Sequence, residues 1–94
     1  MSEVIRLEKT LLIINKLGLH ARAATQLVKL ANQFDAQVTL FQGDKNASAS
    51  SVLGLMMLES YQGKEVRVVS EGIDAELALA AVEQLIMGKF NENE

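Results

Sequence analysis

Residues 15–34 read NKLGLHARAATQLVKLANQF, and the hydrophobic pattern of the chain changes within them. Asn15 to Gly18 has the composition of a turn. After His20 the apolar residues recur at helical spacing, and they are Ala24, Leu27, Val28, Ala31 and Phe34. The polar residues between them fall on the opposite side. The spacing predicts an amphipathic helix of about three turns that begins directly after His20 and buries one face.

The segments around this helix predict further strands and helices. Residues 4–14, 36–41 and 66–71 are rich in β-formers or alternate in polarity, and residues 46–49 can form a short return strand. Ser51 can cap a short helix over the apolar run 52–58, with Met56 and Met57 read as core residues. Asp74 can cap a last helix, whose predicted buried stripe is Leu77, Ala78, Ala81, Val82, Leu85 and Ile86.

This order of elements is typical of a single two-layer α+β domain over residues 1–94, with helices on one face of a sheet. The pattern does not fix the strand order. Residues 91–94, NENE, have the composition of a frayed acidic tail. The residues expected to be largely buried are Leu27, Val28, Ala31, Val38, Leu40, Val66, Val68, Ala81, Val82 and Leu85.

Composition excludes several kinds of site. The 94 residues include no cysteine and a single histidine, so thiol chemistry and a histidine-rich metal site are excluded, and we expect no metal and no cofactor. A net charge of −3 argues against broad binding to nucleic acid. Charged residues in the first ten positions, and the lack of a run of ~18–20 apolar residues, argue against a signal peptide and a membrane span. A cytoplasmic protein is therefore expected.

His20 is the residue that can carry chemistry. The N–H groups of Ala21, Arg22 and Ala23 at the start of the predicted helix form a site for an anion, and Arg22 adds a charged donor. Gly18 permits a tight approach of the chain, and an exposed imidazole can hold a phosphoryl group covalently. A histidine at such a place is also commonly an ordinary surface residue, with Arg22 solvated and Ser51 a simple cap. The pattern alone leaves both interpretations open.

Two segments resemble the motifs of a known family. Residues 15–24, NKLGLHARAA, and residues 45–55, KNASASSVLGL, resemble the active-site segment and the second motif of the HPr family, the phosphocarriers of the bacterial phosphoenolpyruvate-dependent phosphotransferase system. Their spacing and the order of elements extend the resemblance over nearly the whole chain. Residues 55–60 and 78–82 are similar to the nitrogen-branch carriers, the NPr proteins, and parts of this pattern also occur in sugar-branch members.

The resemblance implies an open-faced sandwich of four antiparallel strands with three helices on one face, and a carrier rather than a stand-alone enzyme. His20 would accept a phosphoryl group on Nδ1 from an Enzyme I-type protein charged by phosphoenolpyruvate. It would then pass the group to a IIA-type protein, with Arg22 beside it. Ser51 would be a candidate for regulatory phosphorylation by a serine kinase, with a phosphatase reversing it. Ala23 replaces a proline of the family motif, and Ser50 replaces a common lysine.

We also expect a docking surface, and we keep two alternatives to the carrier. Leu17, Leu19, Leu53 and Met56 are candidates for its apolar centre, with Lys16 and Arg22 at the rim. The chain is expected to be a monomer. One alternative is a regulatory interaction module of the same fold, switched by phosphorylation at His20 or Ser51. The other is an unrelated α+β binding domain.

Overall fold

The computed structural model of the chain describes residues 5–92. Its elements are β1 (Arg6–Leu12), α1 (Ala21–Ala31), β2 (Gln37–Gln42), β3 (Lys45–Ser48), α2 (Val52–Met57), β4 (Glu65–Glu71) and α3 (Ala75–Met87). A short turn, Lys89–Asn91, follows α3. This is the predicted order, and α1 begins at the predicted residue. The expected start of the first strand at Val4 and the last two residues of the predicted tail lie outside the described residues.

The four strands form one antiparallel sheet in the order β1-β4-β2-β3. Leu40 of β2 pairs with Val68 of β4 on one side and with Ala47 of β3 on the other. These inward residues share one buried cluster with residues of all three helices, so the helices cover one face. On the other face the Arg67 guanidinium lies 4.4 Å from the centre of the Phe41 ring. The expected open-faced sandwich is confirmed.

The core follows the predicted stripes with a few differences. Seven of the ten expected residues are buried, and these are Leu27, Ala31, Val38, Leu40, Val66, Val68 and Val82. Val28, Ala81 and Leu85 are only partly buried, because they lie at the margin of the helix faces that meet the sheet. Leu77, predicted to be in the stripe of α3, is exposed, which shows that this stripe is narrower than its apolar composition indicates.

Two predictions about helix ends and the short helix need correction. Met56 and Met57 are exposed rather than core, because α2 has six residues and of these buries only Leu55. Asp74 does occupy the N-cap position of α3, but its side chain does not cap the helix. Its Oδ2 instead accepts a 2.8 Å hydrogen bond from the backbone N–H of Asp35, and thereby joins α3 to the connection between α1 and β2.

Candidate functional site

His20 lies at the N-cap position of α1. Its backbone is extended, and its carbonyl accepts the first helical hydrogen bond, from the N–H of Ala24, at 2.8 Å. Its side chain does not cap the helix. The N–H groups of Ala21, Arg22 and Ala23 consequently have no hydrogen-bond partner within residues 5–92. The positive end of α1 is therefore open to an anion beside the imidazole.

Gly18 sets the path of the loop that carries His20. Its φ is +65°, in the left-handed region that glycine adopts without steric cost. A Cβ atom at this position would lie 2.6 Å from the carbonyl oxygen of Ser60 and 2.9 Å from the Cα of Tyr61. The same carbonyl of Ser60 accepts a 2.9 Å hydrogen bond from the N–H of Leu19. The loop between β1 and α1, residues 13–20 and here called the histidine loop, thus lies directly against the segment that follows α2, and only glycine fits the contact.

The segment after α2 is itself held in place. Glu59 has a φ of +56°, unusual for a residue with a side chain, and its carboxylate accepts a 2.9 Å hydrogen bond from Lys45 Nζ. This hydrogen bond and the charge of Lys45 hold the pKa of Glu59 below its usual range. The contact lies at the turn just before Ser60, whose carbonyl accepts the hydrogen bond from Leu19, but as an exposed ion pair it adds little to stability.

A carboxylate from the end of the chain reaches the imidazole. Glu92 Oε2 lies 2.6 Å from His20 Nε2 and accepts a 3.0 Å hydrogen bond from Asn15 Nδ2. Asn15 is fully buried, and its Nδ2 also donates to the carbonyl of Gly18 at 2.8 Å. An ionised carboxylate only accepts hydrogen bonds, so this contact is a hydrogen bond when Nε2 is the protonated nitrogen of the ring. The His20 side chain is 27% exposed and that of Glu92 13%, so the expectation of an exposed histidine is only partly met.

The turn after α3 delivers Glu92 to this position. Lys89, Phe90 and Asn91 all have positive φ values, between 53° and 64°, and Phe90 is 1% exposed. The Glu92 N–H donates to the carbonyl of Lys89 at 3.0 Å, which closes the turn. The prediction of a frayed tail is therefore wrong for Asn91 and Glu92. Burial of the Phe90 ring anchors the turn against the core.

Arg22 and Ala23 occupy different sides of the first turn. Arg22 is exposed, and its guanidinium forms no ion pair within residues 5–92, so it is available to a bound group. Ala23 is fully buried, with its methyl group in the core. The helix forms with alanine where the family motif has proline, and Ala23 carries a backbone N–H that proline lacks.

Ser51 is the N-cap of α2, as predicted. Its Oγ accepts a 3.0 Å hydrogen bond from the N–H of Gly54. A Cβ atom at Gly54 would lie 3.0 Å from that Oγ, which explains a glycine inside this short helix. This hydrogen bond accounts for the geometry of the Ser51 side chain.

The residues proposed for docking do not all lie at the surface. Lys16, Leu17, Leu53 and Met56 are exposed, Leu53 by 69%. Leu19 is 5% exposed and belongs to the core, because its backbone is tied to Ser60 and its side chain turns inward. Helices α1 and α2 pack against each other, so the exposed members lie on neighbouring elements. Within residues 5–92 no helix is long and apolar enough to cross a membrane.

Comparison with known proteins agrees with this arrangement. A family model described as "PTS HPr component phosphorylation site" matches residues 7–87. The phosphocarrier protein NPr of Shewanella violacea is 54% identical over 87 residues, which cover 93% of this chain and 96% of that protein. NPr of Escherichia coli is 42% identical over 87 residues, covering 92% and 97%. The crystal structure of HPr-C-His from Thermoanaerobacter tengcongensis superposes with a TM-score of 0.89 at 40% identity, covering 94% and 99%.

The fold and the histidine at the helix terminus define a phosphocarrier domain of the phosphotransferase system. The chain belongs to the HPr family. The sequence does not indicate the contacts that two residues make at His20. Asn15 lies in the predicted turn and in the segment that resembles the family's active-site motif, but the pattern does not predict its hydrogen bond to Glu92. Glu92 belongs to the segment that the sequence predicts to be a frayed tail. The signal that could have identified the second is Phe90, since a large apolar residue within a polar terminus indicates that the terminus docks on the domain.

Proposed function

We propose that His20 is the phosphoryl acceptor of this chain. It takes the group from an Enzyme I-type protein charged by phosphoenolpyruvate and delivers it to a IIA-type protein in the cytoplasm. The observation that carries the proposal is the position of the imidazole at the open N-terminus of α1, within a chain of the HPr family. Since the sequence has one histidine, the family's chemistry has one candidate site.

The hydrogen bond to Glu92 favours Nδ1 as the nitrogen that reacts. A neutral imidazole has one protonated nitrogen and one lone pair. With the proton on Nε2 and directed to Glu92, the lone pair lies on Nδ1. A group attached at Nδ1 would also avoid the edge of the ring that the carboxylate occupies.

The first turn of α1 suits the phosphoryl group that would result. The N–H groups of Ala21, Arg22 and Ala23, which have no hydrogen-bond partner among the described residues 5–92, and the positive end of the helix attract an anion. The exposed side chain of Arg22 can add a charged hydrogen bond to the phosphoryl group from the solvent side. The imidazole remains partly exposed, so a second protein can reach a group bound to it.

We further propose that the partners dock on the surface formed by Lys16, Leu17, Leu53 and Met56, with Arg22 at its rim. These side chains are exposed on the histidine loop and on α2, which packs against α1. The apolar centre with charged neighbours has the composition of a transient interface. The similarity to NPr proteins favours nitrogen-branch partners. A monomer presents this surface to one partner at a time, and modification of Ser51 by a kinase would alter it.

The experiment is a transfer assay with purified components. The chain is incubated with phosphoenolpyruvate and either a nitrogen-branch or a sugar-branch Enzyme I, and its intact mass is recorded over time. We expect the mass of one phosphoryl group to be gained, faster with the nitrogen-branch enzyme, and lost again when a IIA-type protein is added. A control without phosphoenolpyruvate should show no gain. No gain with either donor would contradict the proposal.

A further inference from the structure

We propose that Glu92 is a positioning residue for His20. It holds the imidazole in the tautomer protonated at Nε2, and it compensates the positive charge that the ring acquires when Nδ1 is phosphorylated. This inference rests on the proposed function and adds to it a role for the end of the chain, which follows the last helix.

The contact between the two side chains has the geometry of a charge-assisted hydrogen bond. The separation of 2.6 Å between Nε2 and Oε2 is short for a nitrogen–oxygen pair. Most of the Glu92 side chain is covered, with 13% exposed, so water screens the contact less than it screens a surface ion pair. Such a bond is about twice as strong as one between neutral groups.

The carboxylate is fixed from two sides. Asn15, a buried residue of the histidine loop, donates one hydrogen bond to Glu92 Oε2 and another to the carbonyl of Gly18. From the other side, the turn of Lys89 to Asn91 adopts left-handed backbone angles that residues with side chains rarely take. Three such residues in succession persist only where the surrounding contacts hold them, and the buried Phe90 is one such contact.

The chemistry of transfer gives this placement a consequence. The lone pair of His20 Nδ1 forms the bond to phosphorus, and the bond from phosphorus to the donor protein breaks with its electrons staying on the donor. Because Nε2 keeps its proton, the ring of His20 becomes an imidazolium that bears the phosphoryl group. The positive charge therefore grows during the reaction, next to the carboxylate of Glu92. The contact between His20 and Glu92 therefore strengthens along the reaction, and an interaction of this kind lowers the barrier. Transfer of the phosphoryl group from His20 to the acceptor protein reverses these steps.

The test compares Glu92→Ala and Glu92→Gln with Glu76→Ala, a control that removes an exposed carboxylate from the first turn of α3. Heteronuclear NMR of the neutral imidazole should show one tautomer, protonated at Nε2, in the unaltered chain and in the control. Glu92→Ala should show a mixture of the two tautomers. Glu92→Gln should keep the Nε2–H form, because the amide oxygen still accepts a hydrogen bond.

The second measurement is the single-turnover rate of phosphoryl transfer from phosphorylated Enzyme I. Glu92→Ala should lower it about tenfold, as expected for loss of one charged hydrogen bond. The transfer rate of Glu92→Gln should lie between those of Glu92→Ala and the unaltered chain, since glutamine keeps the hydrogen-bond acceptor and loses the charge. The rate of the Glu76→Ala control should be unchanged. Glutamine keeps the length of the side chain, so this variant tests the charge even if alanine releases the C-terminal turn.

An unaltered tautomer in Glu92→Ala would overturn the inference, as would a transfer rate in that variant that is unchanged or higher. If the unaltered chain takes up no phosphoryl group, the proposed function fails, and the charge compensation fails with it. The tautomer measurement does not depend on phosphorylation, and it separately decides whether Glu92 positions the ring.

Discussion

Replacement of Gly18 by alanine should destabilise the protein through two separable effects. The first is the left-handed backbone at φ +65°, which costs a residue with a Cβ atom about 1–2 kcal/mol, reduced by roughly 0.4–1 kcal/mol because alanine restricts the unfolded chain. The second is steric, since the new Cβ would lie 2.6 Å from the carbonyl oxygen of Ser60. Relief of that overlap must lengthen or break the hydrogen bond that Leu19 donates to this carbonyl.

The second effect can be measured by comparison with Gly43→Ala. Gly43 has nearly the same φ, +60°, but a Cβ there would have no atom within 4 Å. Loss of a buried backbone hydrogen bond costs about 1–3 kcal/mol. We therefore expect Gly43→Ala to lower the free energy of unfolding by about 0.5–1.5 kcal/mol, and Gly18→Ala by about 2–4 kcal/mol.

Urea denaturation of both variants and of the unaltered chain gives these values directly. The thermal midpoints should differ in the same order, by about 4–8 °C for each kcal/mol in a domain of this size. Equal destabilisation of the two variants would refute the reasoning. It would mean that the histidine loop can move away from Ser60 at no cost, and that the contact does not position His20.

Three further predictions concern the core, the arginine and the serine. Leu27→Ala should cost ~2–5 kcal/mol by denaturation because Leu27 is fully buried, whereas Leu53→Ala, at an exposed position, should change stability by less than about 0.5 kcal/mol. Arg22→Ala should slow labelling by Enzyme I about tenfold or more without changing the thermal midpoint, because a charged hydrogen bond of ~1.5–3 kcal/mol is lost from an exposed side chain; an unchanged rate would remove its role. Ser51→Asp should keep the cap on Gly54 and the melting temperature but slow labelling of His20, because the added charge lies at the proposed docking surface; an unchanged rate would leave Ser51 a simple N-cap.

The local elements followed from the sequence because their signals are local. The helical spacing after His20 and the cap at Ser51 depend on residues within a few positions of each other, and both are confirmed. The strand order β1-β4-β2-β3 brings distant segments together, and periodicity alone does not contain it. The resemblance to the HPr family supplied the type of fold.

The site was only half predictable for the same reason. His20, Arg22 and the open helix terminus lie within one motif, and the structure places them as expected. Glu92 lies 72 positions away from His20 and reaches it only because Phe90 is buried and the intervening turn is left-handed. Met57 shows the converse difficulty, because its apolar side chain predicts burial but is exposed. A helix of six residues has few positions that face the core, and in α2 only Leu55 is buried.

The most direct test of the central claim is the phosphoenolpyruvate-dependent labelling of the chain with and without its single histidine. The unaltered chain and His20→Ala are each incubated with Enzyme I, and their intact masses are recorded, together with a thermal melt to show that the variant is folded. The unaltered chain should gain the mass of one phosphoryl group, and the folded His20→Ala variant should gain none. Labelling of that variant at the unaltered rate would contradict the assignment of His20 as the acceptor.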